Sequence, residues 1–264
     1  MKTNVTFKRK ILTKIVIGIA LYGVVFFMAT IFLTPFINIF KYQAYTVNNL
    51  ATLLAGLASV LYVSSDKDSN IYYDKEAKFV NNPLFILFVV LSSYALTVSF
   101  NFLFAKIPWE IFGNKNVVQD NDYFYAIPLS IRLISYVIIA PFAEEALFRG
   151  AIFFRFKKIL PVWAAAICTG MIFGIYHLNL MQGIYAFVMG SIMCLVFHYG
   201  GSIFYAMLFH MIANLISNLC FENQHIYNVI YSPVSIILSI AYVVVAITLC
   251  LVFKHRLTKK DKKC

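Results

Sequence analysis

Six side chains able to do acid, base or amide chemistry stand at fixed spacings inside apolar sequence. Residues 142–150 read FAEEALFRG, with ISYVIIAP before and AIFFRF after, so Glu144, Glu145 and Arg149 interrupt a stretch otherwise fit for lipid. An ionised side chain at a bilayer centre costs about 2.5–3.5 kcal/mol on insertion scales. Three together need a reason. Adjacent residues of a helix differ by about 100° in direction, so the two glutamates cannot face the same place. Arg149 follows Glu145 at the (i, i+4) spacing with the acid first, the favourable order for a pair on one helix face. That assignment pairs Glu145 with Arg149 and leaves Glu144 free. A structural salt bridge accounts for the pair but not for the second acid.

Two further segments add bases and an amide. Residues 170–178, GMIFGIYHL, place His177 four residues after Phe173, and Gly170 and Gly174 form a GxxxG. Small residues at that spacing let helices approach closely, which makes this helix central and turns His177 inward. Residues 201–214, GSIFYAMLFHMIAN, place His210 and Asn214 four apart, on one helix face. Each segment alone is also explained by structural hydrogen bonding between helices. Together they suit hydrolysis, which needs a base to activate water and donors to hold the developing oxyanion. Two histidines and a carboxylate also suit zinc with one open position. No HExxH is present, so an ordinary zincin is excluded.

EEALFR at 144–149, FGIYH at 173–177 and HMIAN at 210–214 match EExxxR, FxxxH and HxxxN in order and spacing. This resembles the CPBP family of intramembrane proteases (CAAX proteases and bacteriocin-processing enzymes), also called the Abi family, over roughly residues 130–220. The resemblance implies that Glu144 activates the attacking water with His177 beside it. It implies that His210 and Asn214 face the scissile carbonyl as an oxyanion hole. Glu145 and Arg149 become the structural pair, with Phe173 in support. The family has been described both as metalloproteases and as metal-free glutamate proteases. A metal-free site is favoured because asparagine is an uncommon zinc ligand; the zinc alternative uses Glu144, His177 and His210. Implied substrates are membrane-associated peptides or proteins: a prenylated C-terminus, or a bacteriocin or pheromone precursor. A bacteriocin-immunity or scaffold protein acting by binding is the alternative. A transporter would show paired broken helices in two related halves, and none is evident.

The elements that must position these residues are membrane helices. The chain is 61% hydrophobic and 12% charged, against about 45–50% and about 25% for soluble proteins. The expected fold is an all-α, polytopic transmembrane bundle of about eight helices. The spans fall near 15–39, 47–63, 83–105, 128–156, 161–178, 182–199, 202–220 and 229–253. Residues 1–125 form N-terminal helices and loops, 126–222 the catalytic core, and 223–264 a last helix with a basic tail. The net charge of +11 gathers beside the first and last apolar runs, which points to topology and anionic lipid and not to nucleic acid. By the positive-inside rule, both termini are cytoplasmic. Lys67, Lys75, Lys78, Arg155, Lys157 and Lys158 then lie inside, and Lys41, Lys106, Glu110, Lys115, Asp120, Asp122 and Glu222 outside. The expected location is a bacterial plasma membrane. His198, His225 and His255 receive no role, and the cysteines show no CxxC pairing.

One tension concerns depth. Glu144 and His210 fall near midplane, whereas His177 lies about 24 Å beyond Pro161 along a straight helix, close to the outer surface. Convergence requires a strong tilt, a deep start, or an inward dip of the HLNLMQG turn.

Overall fold

The computed structural model describes residues 2–39, 43–66, 79, 82–108 and 127–261. The chain folds as an all-α membrane bundle, and among the described residues there is no strand. In chain order the helices are α1 (Lys2–Leu33), followed by a 3₁₀ turn (Thr34–Ile39), α2 (Gln43–Ser64), α3 (Pro83–Phe104), α4 (129–156), α5 (Val162–Tyr176), α6 (Leu180–Gly200), α7 (Ile203–Glu222), α8 (Gln224–Ile230) and α9 (Pro233–Asp261). Lys41, Lys67, Lys75, Lys78, Glu110, Lys115, Asp120, Asp122, Lys262 and Lys263, which carry much of the expected orientation, lie outside the described residues.

The expected spans need two corrections. Among the described residues five helices are long and apolar enough to cross a membrane, the α1 region, α2, α3, α6 and α7, and the bent pair α8–α9 would make a sixth if it is one span. The expected last span begins as a separate helix, because α8 and α9 meet at a 48° bend before Pro233. The expected span 161–178 is a helix of only 15 residues, about 22 Å long and short of the ~20 residues a span requires. The expected span 128–156 is present as α4, at 129–156. Its Arg132, Glu144, Glu145, Arg149 and Arg155 are all buried.

That charge is tolerated because α4 is enclosed and its ends are paired. At one end Arg155 donates to Asp66 at 3.0 Å and to the Ala151 carbonyl at 2.8 Å, and Lys14 of α1 reaches the same Asp66 at 2.8 Å. At the other end Arg132 pairs with Glu222 of α7 and lies over the Phe221 ring. The same helix is not α throughout. Ile134–Ile139 and Ala146–Phe153 are π-helical, with the Ala140 and Phe154 amides donating five residues back, to Ser135 and Arg149. π segments of this kind concentrate at functional sites. In π register the donor for the Tyr136 carbonyl would be residue 141, which is proline and has no N–H.

Close packing sets the remaining helices. A Cβ at Gly174 would lie 2.6 Å from the Gly183 carbonyl oxygen, and one at Gly170 2.6 Å from the Phe187 carbonyl oxygen. The GxxxG therefore works as expected, locking α5 against α6 backbone to backbone. Gly56 of α2 plays the same part against Ala143 of α4, where a Cβ would meet the Ala143 Cα at 2.6 Å. Between α6 and α7 the chain turns at Gly201, whose φ of 78° is costly for other residues.

Candidate active site

Six of the seven residues singled out in the sequence join in one connected cluster around α4. Arg149 donates to Glu145 at 2.9 Å and to the Gly190 carbonyl of α6 at 3.1 Å, with its guanidinium 5.2 Å from the centre of the Phe173 ring. The expected intrahelical pair is present. Glu145 and Arg149 have no measurable exposure, so each charge depends on the other.

His210 links the two acids. Its Nδ1 lies 2.9 Å from Glu145 Oε1, and its Nε2 lies 3.7 Å from Glu144 Oε2. This corrects two expectations. Glu144 is not left free, and adjacent glutamates can reach one side chain because an imidazole presents nitrogens on two sides. The Glu145 carboxylate, held by Arg149, accepts, so Nδ1 carries the proton and Nε2 is turned to Glu144.

Asn214, one turn beyond His210, donates through Nδ2 to the Tyr136 carbonyl at 2.7 Å. That is the carbonyl to which Pro141 has no N–H to donate. The asparagine thus fastens α7 to the π segment of α4, and its second amide hydrogen remains for a ligand. Ser93 of α3 supports the same stretch by donating to the Phe209 carbonyl at 2.6 Å.

His177 caps α5, and its Nδ1 donates to the Phe173 carbonyl at 2.8 Å. A carbonyl can only accept, which leaves Nε2 as the ring's acceptor. His177 makes no hydrogen bond or ion pair with Glu144 or His210. The depth tension resolves through register: α4 and α5 run antiparallel with Phe173 beside Arg149, so one turn onward along α5 matches one turn back along α4. Phe173 is the hub of this register, packing on Phe148 at 4.7 Å, His177 at 4.8 Å and His210 at 6.0 Å between ring centres. Its ring stands against Gly190, where a larger residue would collide.

The zinc alternative requires Glu144, His177 and His210 to converge on one point. Among the described residues no group of three or more His, Cys, Asp or Glu side chains is arranged to hold a metal ion.

Two residues of the site were not anticipated. Tyr22 of α1 and Tyr176 of α5 bring their hydroxyl oxygens to 3.2 Å, and the Tyr176 ring packs 5.5 Å from that of His177. Tyr176 precedes a motif histidine, the one hint in the sequence. Tyr22 stands in an ordinary apolar helix with nothing to mark it.

No curated protein and no solved structure matches the chain. The family model described as type II CAAX prenyl endopeptidase Rce1-like matches residues 126–216. That segment runs from the start of α4 into α7 and contains Glu144, Glu145, Arg149, Phe173, His177, His210 and Asn214, so the chain's three motifs lie where it is similar to the CAAX-type intramembrane proteases.

Proposed function

We propose that the chain is an integral-membrane endopeptidase in which Glu144 activates water to hydrolyse a peptide bond of a membrane-associated substrate. One observation carries this reading: the adjacent acids are held to different degrees. Glu145 is fixed by Arg149 and His210 and fully enclosed, whereas Glu144 retains 9% exposure and, among the described residues, has the 3.7 Å approach of His210 Nε2 as its polar contact. The similarity of residues 126–216 to type II CAAX prenyl endopeptidases supports it. That similarity makes a prenylated C-terminal peptide the first substrate to try, with bacteriocin or pheromone precursors next.

In this mechanism the water oxygen bonds to the scissile carbonyl carbon as Glu144 takes a water proton. His177 Nε2 is a second acceptor for the same water. The oxyanion that forms accepts from the remaining Asn214 N–H. His210, backed at Nδ1 by Glu145, can take the proton from Glu144 at Nε2 and then donate to the oxyanion as well. Collapse breaks the C–N bond, and the proton passes to the leaving amine. Such donors act strongly in a water-poor site because they are already oriented. On this reading both termini lie in the cytoplasm of a bacterial cell, with their basic clusters against anionic lipid.

The test compares membrane-associated peptides in cells carrying wild type or Glu144→Gln. The variant keeps the shape of the side chain and loses the base, so it accumulates normally and processes nothing. Processing at wild-type rates would overturn the assignment of Glu144.

A further inference from the structure

The side of α7 that carries His210 and Asn214 stays polar beyond them. At four-residue intervals the helix continues with Asn218 and Glu222, so the four side chains form one stripe. The stripe runs about 18 Å from His210 to Glu222, with neighbours about 6 Å apart. Glu222, its side chain 37% exposed, pairs with Arg132 near the start of α4. Asn214 donates to the Tyr136 carbonyl, and His210 reaches Glu145 and approaches Glu144. Polar groups therefore lead from an exposed carboxylate to the enclosed glutamates. The facing helices add to them: Ser135 of α4 is buried, as is Tyr45 of α2, whose ring meets that of Tyr136 at 6.0 Å.

Fastening between helices accounts for His210, Asn214 and Glu222. It does not account for Asn218, which is 8% exposed. Its side chain turns back along its own helix, where Nδ2 donates to the Asn214 carbonyl at 2.9 Å. A carbonyl can only accept, so the bound atom is the nitrogen and Oδ1 is left over. Among the described residues that buried oxygen has no hydrogen-bond partner. An unpaired buried acceptor is destabilising, and leucine, similar in size, would carry no such penalty. Buried polar atoms of this kind are commonly met by water. One or two waters, at oxygen–oxygen distances of about 2.8 Å, span the gap between neighbours on the stripe.

We propose that the α7 stripe is a hydrated file that admits water from the Arg132–Glu222 rim to Glu144, with the Asn218 oxygen as its internal acceptor. A water in the file donates to Oδ1 and passes on to the Asn214 and His210 level. Supply of the hydrolytic water rests on the protease reading; hydration of the file does not. Asn218 is a positioning residue, acting on the water and not on the scissile bond.

The first arm of the test needs no substrate. Full-length Asn218→Cys protein in lipid nanodiscs is exposed to silver ion, a small probe that binds thiolates. Thiols left unblocked are alkylated in denaturant and read site by site by mass spectrometry, so the native cysteines stay in place. Apolar surroundings suppress the thiolate, so Asn218→Cys is expected to be blocked at least about tenfold faster than a thiol in a dry site. Ile216→Cys, on the same helix and 7% exposed, is that dry reference. Ser135→Cys, nearly isosteric, repeats the measurement on α4 and decides if Asn218→Cys fails to accumulate. Blocking no faster than at Ile216→Cys overturns the proposal.

The second arm uses a farnesylated cysteine peptide carrying three further residues. Asn218→Leu lowers kcat about tenfold with KM within about twofold, while its thermal midpoint equals or exceeds that of wild type, because no oxygen is left unpaired. Asn218→Ser, which returns a polar atom to the position, recovers most of the lost turnover. A fastening role gives the reverse, a lower midpoint with wild-type kcat, and that result overturns the proposal. If Glu144→Gln is inactive while Asn218→Leu keeps wild-type kcat, the protease reading stands and the file falls as its water supply. If wild type does not cleave the peptide, the choice of substrate or the protease reading fails, and silver accessibility still decides whether the file exists.

Discussion

Asn214 holds the Tyr136 carbonyl at 2.7 Å, supplying by side chain the donor that Pro141 withholds from the π register of α4. The asparagine implied as an oxyanion donor is thus also a fastening between α7 and α4. Its replacement has two separable effects. Asn214→Ala removes a hydrogen bond to a part-buried carbonyl, which costs about 0.5–1.5 kcal/mol, and removes a hydrogen bond from the transition state, lowering turnover about 10²–10³-fold. Thermal unfolding and steady-state kinetics on the same preparation read the two. Loss of stability with wild-type kcat would leave the fastening and remove the catalytic role.

Arg149 is the second test. Breaking a buried pair leaves an uncompensated charge and costs about 3–5 kcal/mol. Here the Gly190 carbonyl and the orientation of His210 depend on it as well. Arg149→Ala is therefore expected to accumulate poorly and to melt lower. Glu145→Gln with Arg149→Met restores part of the stability, because no charge is left stranded, but not activity, because His210 Nδ1 has lost its carboxylate. A stable, active Arg149→Ala protein would show that the pair carries neither function.

How far the site could be read from sequence follows from the range of each contact. Glu145–Arg149 was legible because an (i, i+4) pair is fixed by helix geometry alone. The GxxxG of α5 was legible for the same reason, although its partners Gly183 and Phe187 were not. His210 to Glu145 spans 65 residues, so motif order suggested their association but no pattern gave its geometry. The π segments were announced only by Pro141, since the apolar residues around it carry no signature of register. Tyr22 was invisible: a tyrosine in a long apolar helix looks like many others, and its partner lies 154 residues away. The first expected span is present as α1, but nothing in its apolar sequence indicated that it packs against the end of α5.

Gly174 offers a test of how tightly α5 must lie on α6. An added methyl would stand 2.6 Å from the Gly183 carbonyl oxygen, and backbone cannot rotate away as a side chain can. Gly174→Ala is therefore expected to force the helices apart, shift His177 at the end of α5, and lower both thermal midpoint and turnover. Gly23→Ala is the control, since nothing lies within 4 Å of its Cβ position. There the substitution should be neutral or stabilising by about 0.5–1 kcal/mol, as for glycine inside a helix. Equal behaviour of the two variants would show that the α5–α6 contact has slack that the geometry does not suggest.

The last prediction concerns metal. His177 and His210 both commit Nδ1, to the Phe173 carbonyl and to Glu145, and both leave Nε2 available. Outer partners of this kind also accompany metal-bound histidines, so the test has to be direct. The opposing observation is that no three donors among the described residues are arranged around one point, while His210 Nε2 is directed at Glu144 itself. Asn214, which a water-activating glutamate site can use as an oxyanion donor, is an uncommon zinc ligand. Purified active protein is therefore expected to contain less than stoichiometric zinc and to keep its turnover after chelation. Stoichiometric zinc, lost together with activity on chelation and restored with it on adding zinc back, would move Glu144, His177 and His210 from proton handling to ligation. The glutamine variant at 144 would then lose metal as well as activity, an outcome that the glutamate-base mechanism does not allow.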